Sequence, residues 1–253
     1  MINHPSSGAL LAEGKTKQIY AHPSDDTLAY MVNKDQITAG DGERRNELAG
    51  KSRWSTITMA NIYRLLNSAG IATHFIEQID DVTVLIKRCT MLPVEQVMRR
   101  IATGSYLKRT PGSTEGDRFE PVLVETFLKD DAQHDPQIWE SDIIERGLAS
   151  KAEIAWMAEE GRRVFETLER AWATIDVTLV DLKIEFGRDA SGTLLVADVI
   201  DNDSWRIWPG GDKNRMLDKQ IYRNLKEVTE QDLQALGDRY ALVADLTGKL
   251  KLS

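Results

Sequence analysis

The sequence predicts an α+β protein with antiparallel sheets, arranged in two lobes that divide near residue 90. Three observations carry that expectation. Short apolar runs broken by turn residues fill residues 9–33 and return later as hairpin pairs. Other stretches repeat apolar residues every three or four positions, as amphipathic helices do. Strands and helices do not alternate one for one, as a parallel βαβ sheet would require. Residues 1–90 are therefore expected to form a β-rich lobe and residues 91–253 an α+β lobe.

Each element follows in order. "ALLAEGKTKQIYAH" reads as strand, turn at Glu13–Gly14, strand, and "TLAYMVN" as a third strand. "ITAGDGERRNELAGKS", with glycines at 40, 42 and 50, reads as a loop leading into a helix. That helix, about 47–69, carries Leu48, Ile57, Ile62, Leu65, Leu66 and Ala69 on one stripe, with Gly70 as its terminator. "IATHFIEQIDDVTVLIKR" reads as a hairpin turning near Asp80–Asp81. Pro93 is placed at the first position of a helix, "PVEQVMRRIATG", with Val94, Val97, Met98 and Ile101 as its apolar face. Residues 110–149, rich in Pro, Gly and Asp, are expected to be mostly loop, with a short strand near "PVLVETFLK". Ser150 and Glu153 form a capping box for a helix burying Ile154, Met157, Val164, Phe165, Leu168 and Trp172. A hairpin follows over 179–200, and Thr229 caps a last helix with Leu233, Leu236, Tyr240, Val243 and Leu246 facing inward.

The 253 residues suffice for a sizeable core, and 42% hydrophobic with 28% charged residues is ordinary for a globular chain. A net charge of −8 argues against nucleic acid as partner, though it leaves room for a local basic pocket. The single cysteine, Cys89, excludes an intrachain disulfide and fits a reducing cytoplasm. It falls at a strand end, where it reads as a small packed hydrophobe. No secretory signal and no membrane-spanning run is evident, so a cytoplasmic location is expected.

The chemistry-bearing stretches are five. In "VDLKIEF" a period of two puts Asp181, Lys183 and Glu185 on one face and Leu182, Ile184 and Phe186 on the other. Asp198 lies on the partner strand, in a register that periodicity leaves open. One carboxylate per strand suits a Mg²⁺–nucleotide site, because Mg²⁺ takes few carboxylates plus phosphate oxygens and water. A solvated strand face paired with lysine is the alternative. "EGKTKQIY" offers a turn with Lys15 and Lys17 that could fold over phosphates, or a plain surface hairpin; it is neither a Walker A nor a G-x-G-x-x-G motif. "VEQVMRRIATGSYLKR" concentrates Arg99, Arg100, Lys108 and Arg109 around Ser105, suited to a phosphate monoester or else the basic outer face of a helix. "DNDSWRIWPGGDKNRMLDKQIYR" adds Ser204, Arg206, Lys219 and Arg223, with Trp205 and Trp208 as pocket wall or core. "FLKDDAQHDP" is a polar loop holding Lys129, Asp130, Asp131, His134 and Asp135; no second histidine has zinc spacing. No nucleophile-elbow motif occurs.

These motifs, with "ITAGDGERR", "CTMLPVEQVMRRIATGSYLKR", "ADVIDNDSWRIWP" and "DKQIYR", run in the order found in the SAICAR synthetase family, which the chain resembles from about residue 11 to 226. "DVIDNDSWRIWP" is most similar to the branch fused to an AIR carboxylase in bifunctional enzymes. The tail after Lys226 is too short for a carboxylase domain, so none is expected. The resemblance implies a two-lobed fold with a nucleotide cleft like that of kinases and ATP-grasp enzymes. It implies ATP-dependent joining of CAIR to L-aspartate, giving SAICAR, ADP and phosphate through an acyl phosphate, with Mg²⁺ as cofactor and ATP as co-substrate.

Carried over position by position, the resemblance implies Glu185 and Asp198 as Mg–ATP carboxylates. Lys15, Thr16 and Lys17 would cover the phosphates, and Lys87 through Met91 would line the adenine. Arg99, Ser105, Lys108, Arg109, Arg206, Lys219 and Arg223 are the CAIR-phosphate candidates. Asp181 and Lys183 would face the ribose or the reacting carboxylate. Asp41 and Lys129–Asp131 are candidates for aspartate or a second Mg²⁺. Many members carry an acid where this chain has Val199, which puts a further metal ligand there in doubt. A small-molecule kinase with the same Mg–ATP apparatus is the rival reading; the protein-kinase H-R-D and D-F-G motifs are absent. A non-catalytic nucleotide-binding module is the third. No membrane or nucleic-acid partner is expected, and the oligomeric state, a homo-oligomer included, is left open.

Overall fold

The computed structural model describes residues 8–40 and 42–252. The chain opens with β1 (Leu10–Glu13), β2 (Lys17–Ala21) and β3 (Leu28–Asn33). A two-stranded ribbon, β4 (Gln36–Ala39) and β5 (Arg44–Glu47), precedes α1 (Lys51–Ser68). Then come β6 (Phe75–Gln78) and β7 (Thr83–Lys87). The first sheet has five strands in the order β1-β2-β3-β7-β6, with antiparallel ladders.

The second half comprises β8 (Thr90–Ile101), α2 (Ser105–Arg109), β9 (Arg118–Leu128), α3 (Glu140–Glu145) and α4 (Lys151–Ala173). It continues with β10 (Val177–Arg188), β11 (Leu194–Ala197), β12 (Trp205–Pro209), α5 (Gln220–Asn224) and α6 (Glu230–Thr247). Its sheet runs β11-β10-β8-β9, and β12 pairs the first half of β10. The expected antiparallel α+β class is what the chain adopts. The sheets are stitched where the backbone before β6 meets β11: His74 N donates to Val196 O at 2.9 Å and Val196 N to Ala72 O at 3.1 Å.

One apolar cluster runs beneath both sheets. It takes Met59, Ile62, Tyr63 and Leu66 from α1, Ala29 and Met31 from β3, and Leu182, Ile184 and Phe186 from β10. From α4 it takes Met157, Val164, Phe165, Leu168 and Trp172, all at 0% exposure, which is the predicted stripe. The Ser150–Glu153 capping box is present in full, and Thr229 forms a second one with Asp232. Helix α6 packs back on α1.

Three expectations fail. The segment from Pro93 is strand β8, not helix. Its apolar residues satisfy helical spacing, yet Leu92, Val94 and Met98 bury one face by alternation while Glu95, Val97 and Arg99 turn to the other. Neighbouring strands on both sides decide between two patterns that a short apolar run satisfies equally. Pro93 is tolerated because it sits where the β8–β10 ladder shifts register. Residues 110–149 are less irregular than their composition suggests, since β9 extends over 11 residues along β8. The glycine-rich stretch before α1 folds as the β4–β5 ribbon rather than a loop.

Candidate active site

Between the two sheets lies an open cavity of about 1760 Å³. Its floor is the polar face of β10. Alternation sends Asp181, Lys183 and Glu185 into the cavity and leaves Leu182, Ile184 and Phe186 in the core. The register is Glu185 opposite Ala197, so Asp198 follows directly beyond the last pair of β10 with β11. Asp198 adopts a left-handed backbone, φ 63°, uncommon for a residue with a side chain. The buried Tyr63 hydroxyl holds that turn, at 3.0 Å from Ala197 O and 2.8 Å from Asp198 O.

Around the acids stand three lysines. Lys183 Nζ donates to Glu185 Oε1 at 2.7 Å and to Glu95 Oε2 at 3.1 Å. Lys129 also pairs with Glu185, and Lys17 with Asp198. Burial by itself raises the Asp198 carboxyl, but Lys17, Lys183 and Lys129 outweigh it and hold the group below its ordinary value. Burial works the other way on the Lys183 ammonium, and Glu185, Glu95 and Asp198 together raise it. Glu95 is raised, by burial first and by Glu185, despite Lys183. The result is a charge-balanced floor with two carboxylates in reach of the same cations.

A second polar layer lies toward β12. Arg99 Nη1 donates to Asp181 Oδ2 at 2.8 Å, and Arg206 bonds the same oxygen. Arg206 Nη2 reaches Gln220 Oε1 at 3.1 Å, and Arg99 Nη2 lies 3.4 Å from Ser105 Oγ. Gly104, at φ 61°, makes the approach of Arg206 feasible, because a Cβ there would fall 2.5 Å from Arg206 Nη2. A third cluster centres on Asp203, which accepts from Lys219 at 3.1 Å and Tyr240 at 2.5 Å, with Lys51 Nζ at 3.5 Å. Burial alone would raise Asp203; Lys219 and Lys51 bring it well below the usual carboxylate range. On the opposite rim, Lys15 pairs with Asp131 at 2.7 Å and ties the β1–β2 turn to the loop after β9.

A family model for SAICAR synthetase matches residues 10–238. The chain belongs to the SAICAR synthetase family. A phosphoribosylaminoimidazole-succinocarboxamide synthase of Herpetosiphon aurantiacus is 60% identical over 240 residues, which is 95% of this chain and 97% of that protein. A bifunctional phosphoribosylaminoimidazole carboxylase/succinocarboxamide synthetase of Drosophila melanogaster is 46% identical over 244 residues, 94% of this chain and 57% of that one. That match fits the likeness to the fused branch. Among solved structures, a SAICAR synthetase in complex with ADP superposes with a TM-score of 0.85 at 32% identity, over 96% of this chain and 99% of the other.

Most residues singled out for SAICAR synthetase chemistry converge on the cavity. Lys15, Thr16, Lys17 and Met91 line one side, and Asp181, Lys183, Glu185 and Asp198 the floor. Arg99, Ser105, Lys108 and Arg206 line the far end, with Lys129, Lys219 and Arg223 around it. Four of the described candidates, Lys87, Thr90, Arg109 and Asp130, do not join them, and Asp130 instead caps the turn at Ala132 and Gln133. On β7 it is Ile86 that faces the cavity, so alternation turns Lys87 away. Arg109 folds back to Glu125 Oε1 at 2.6 Å, with its guanidinium 4.8 Å from the centre of the Phe127 ring. Asp41 lies outside the described residues. Trp205 both lines the cavity and packs edge-on against Trp172, at 5.4 Å.

Sequence reasoning passed over Glu95, Lys51, Asp201 and Asp203, all on the cavity wall. Glu95 was hidden by reading β8 as a helix. Lys51 is an unremarkable helix-start lysine until burial at 2% exposure marks it. The Asp201–Asp203 pair lies within "ADVIDNDSWRIWP", where the density of acids is the available signal. Among the described residues no group of three or more His, Cys, Asp or Glu is placed to hold a metal. Cys89 lines the cavity, but burial, helped by Asp189, pushes its thiol up to about 11, so it is a poor nucleophile at neutral pH. No helix among the described residues is long and apolar enough to cross a membrane.

Proposed function

We propose that this cavity joins CAIR to L-aspartate at the expense of ATP, yielding SAICAR, ADP and phosphate, the reaction of the SAICAR synthetase family. The observation that carries the proposal is the meeting, in one cavity, of the carboxylates Glu185 and Asp198 with two separate cation layers. A carboxylate is a poor electrophile. Transfer of the ATP γ-phosphoryl group to the CAIR carboxylate oxygen releases ADP and leaves an acyl phosphate. The aspartate amine then attacks the carbonyl carbon, loses a proton and expels phosphate. Both steps place charge on phosphoryl oxygens, which fixed cations stabilise.

Lys15, Thr16 and Lys17 cover the ATP phosphates, with Met91 beside the base. Lys183 faces the reacting groups with Lys129 next to it; Lys129, Asp131 and Asp41 are the proposed contacts of L-aspartate. Arg99, Ser105, Lys108, Arg206, Lys219 and Arg223 hold the CAIR phosphate and its neighbouring groups. Asp181, gripped by two guanidiniums through one oxygen, anchors them rather than moving a proton. Glu185 and Asp198 fit Mg²⁺, a hard ion that takes one or two carboxylates and completes its shell with phosphate oxygens and water. Bound there, the ion supplies positive charge to the phosphoryl oxygens. Residues 1–90 would cover the nucleotide and residues 91–253 carry the substrate and metal groups.

The deciding assay measures ADP release with CAIR and L-aspartate omitted in turn, alongside the amide product. Release that ignores aspartate and leaves no amide would overturn the ligase reading. Glu185→Gln and Asp198→Asn are each expected to abolish Mg²⁺-dependent turnover; near-normal activity in both would make the acid pair structural. Arg99→Ala is expected to raise the CAIR KM or lower kcat/KM, and an unchanged value removes Arg99 from the pocket.

A further inference from the structure

Glu125 belongs to none of the groups that line the cavity, yet it is one of the most heavily engaged buried acids in the protein. It sits on β9 directly across from Val97 on β8, one diagonal step from Arg99. Its side chain is 6% exposed, and both oxygens are taken: Oε2 by Arg99 Nε at 2.5 Å and Oε1 by Arg109 Nη2 at 2.6 Å. Arg99 is thereby clamped from two sides. Glu125 holds Nε from behind and Asp181 holds Nη1 from β10, while Nη2 points to Ser105. A guanidinium carries five N–H groups, so these three contacts leave others for a ligand in the cavity that Arg99 lines.

The charge count gives the clamp its meaning. Arg99, Arg109 and Arg206 surround Asp181 and Glu125, three cations about two anions. With Lys108 lining the same end and Asp218 behind Arg206, four cations stand about three anions, so one positive charge is left over, and the side open to the cavity is where an anion can meet it. A long arginine pinned at two of its nitrogens loses little freedom on binding, so its affinity is spent on the ligand. We propose that Glu125 is a positioning residue for the substrate-phosphate site: it fixes Arg99, is itself steadied by Arg109, and never touches substrate. This also gives Arg109 a place, behind the pocket rather than in it. The inference rests on the reading of Arg99 as a holder of the CAIR phosphate.

The test is steady-state kinetics on E125Q, E125D, R99A and the double variant E125Q/R99A. Loss of the charge in E125Q is expected to raise the CAIR KM by about tenfold or more, the scale of one charge-assisted hydrogen bond, with the KM values for ATP and L-aspartate within about twofold of the parent. E125D, which keeps the charge on a shorter arm, recovers part of the loss. The double variant is no worse for CAIR than R99A alone, because Glu125 acts through Arg99. An unchanged CAIR KM in E125Q, a parallel rise in all three KM values, or an additive double variant overturns the inference. If E125Q does not fold, R109Q decides: a CAIR-specific KM rise of about threefold supports the clamp, and an unchanged CAIR KM refutes it. R99A separates the two claims, since an unchanged CAIR KM there sinks the phosphate-site reading whatever Glu125 does.

Discussion

Asp218 offers a prediction that can be worked through numerically. It is fully buried between β12 and α5, behind the Arg206 end of the cavity. Its Oδ2 accepts from Ile207 N at 3.0 Å and its Oδ1 from Gln220 N at 2.8 Å. Burial is the largest influence on it and outweighs both backbone donors and Arg206, so the carboxyl is pushed up to about 6 from 3.8. A raised carboxyl means that the folded protein binds a proton more tightly than the unfolded chain. Stability therefore increases as pH falls through about 6 and levels off near the unfolded value of 3.8. The full effect is about two units, or about 3 kcal/mol; lowering the pH from about 7.5 to about 5 realises about 1.4 kcal/mol of it. The comparison is with Asp218→Asn, which does not titrate. Its amide group faces one of the two backbone donors, a pH-independent cost of about 1–3 kcal/mol. Urea unfolding of both proteins across that pH range is the assay, and the difference between them is the readout, because every other titrating group cancels. The wild-type advantage is expected to be larger at about pH 5 than at about pH 7.5 by about 1.4 kcal/mol. A difference that is flat with pH, or that shrinks on acidification, refutes the reasoning.

Three further outcomes follow from particular contacts. Tyr63→Phe removes the hydroxyl that holds the left-handed turn at Asp198, and is expected to cost about 1 kcal/mol of stability and to raise the Mg²⁺ concentration for half-maximal activity; an unchanged Mg²⁺ requirement would dismiss Tyr63 as a support for Asp198. Gly104→Ala places a Cβ against Arg206 in a backbone conformation suited to glycine, so the CAIR KM should rise with strain of about 1–3 kcal/mol; wild-type kinetics would show that Arg206 moves aside freely. Glu153→Ala deletes half of the α4 capping box and the 2.7 Å ion pair with Arg188, lowering stability by about 1–2 kcal/mol with kcat/KM unchanged; its carboxyl is held down to about 2, by Arg188 first, so this contribution is lost only as the pH falls from 4.5 toward 2.

The parts of this protein legible in its sequence are those decided by local interactions. Capping at Ser150 and Thr229, the α4 stripe and the two-residue alternation of "VDLKIEF" depend on neighbours within one or two turns, and each appears as expected. Alternation alone put Asp181, Lys183 and Glu185 on one face. Family motifs then named most of the residues that meet in the cavity. What the sequence could not decide hangs on partners far along the chain. β8 is a strand because β9 and β10 flank it, and nothing within twelve residues of Pro93 says so. The register that sets Asp198 beside Glu185 comes from the β10–β11 ladder and from a Tyr63 hydroxyl on the distant helix α1. Lys87 and Arg109 have the right charge in the right stretch, yet strand alternation turns one away and a buried carboxylate draws the other back. Glu125 carried no motif at all. Side-chain type and local period are properties of the chain, whereas the direction and neutralisation of each charge are settled only when the sheets close around it, because a buried ion must find its counter-ion wherever the fold has put one.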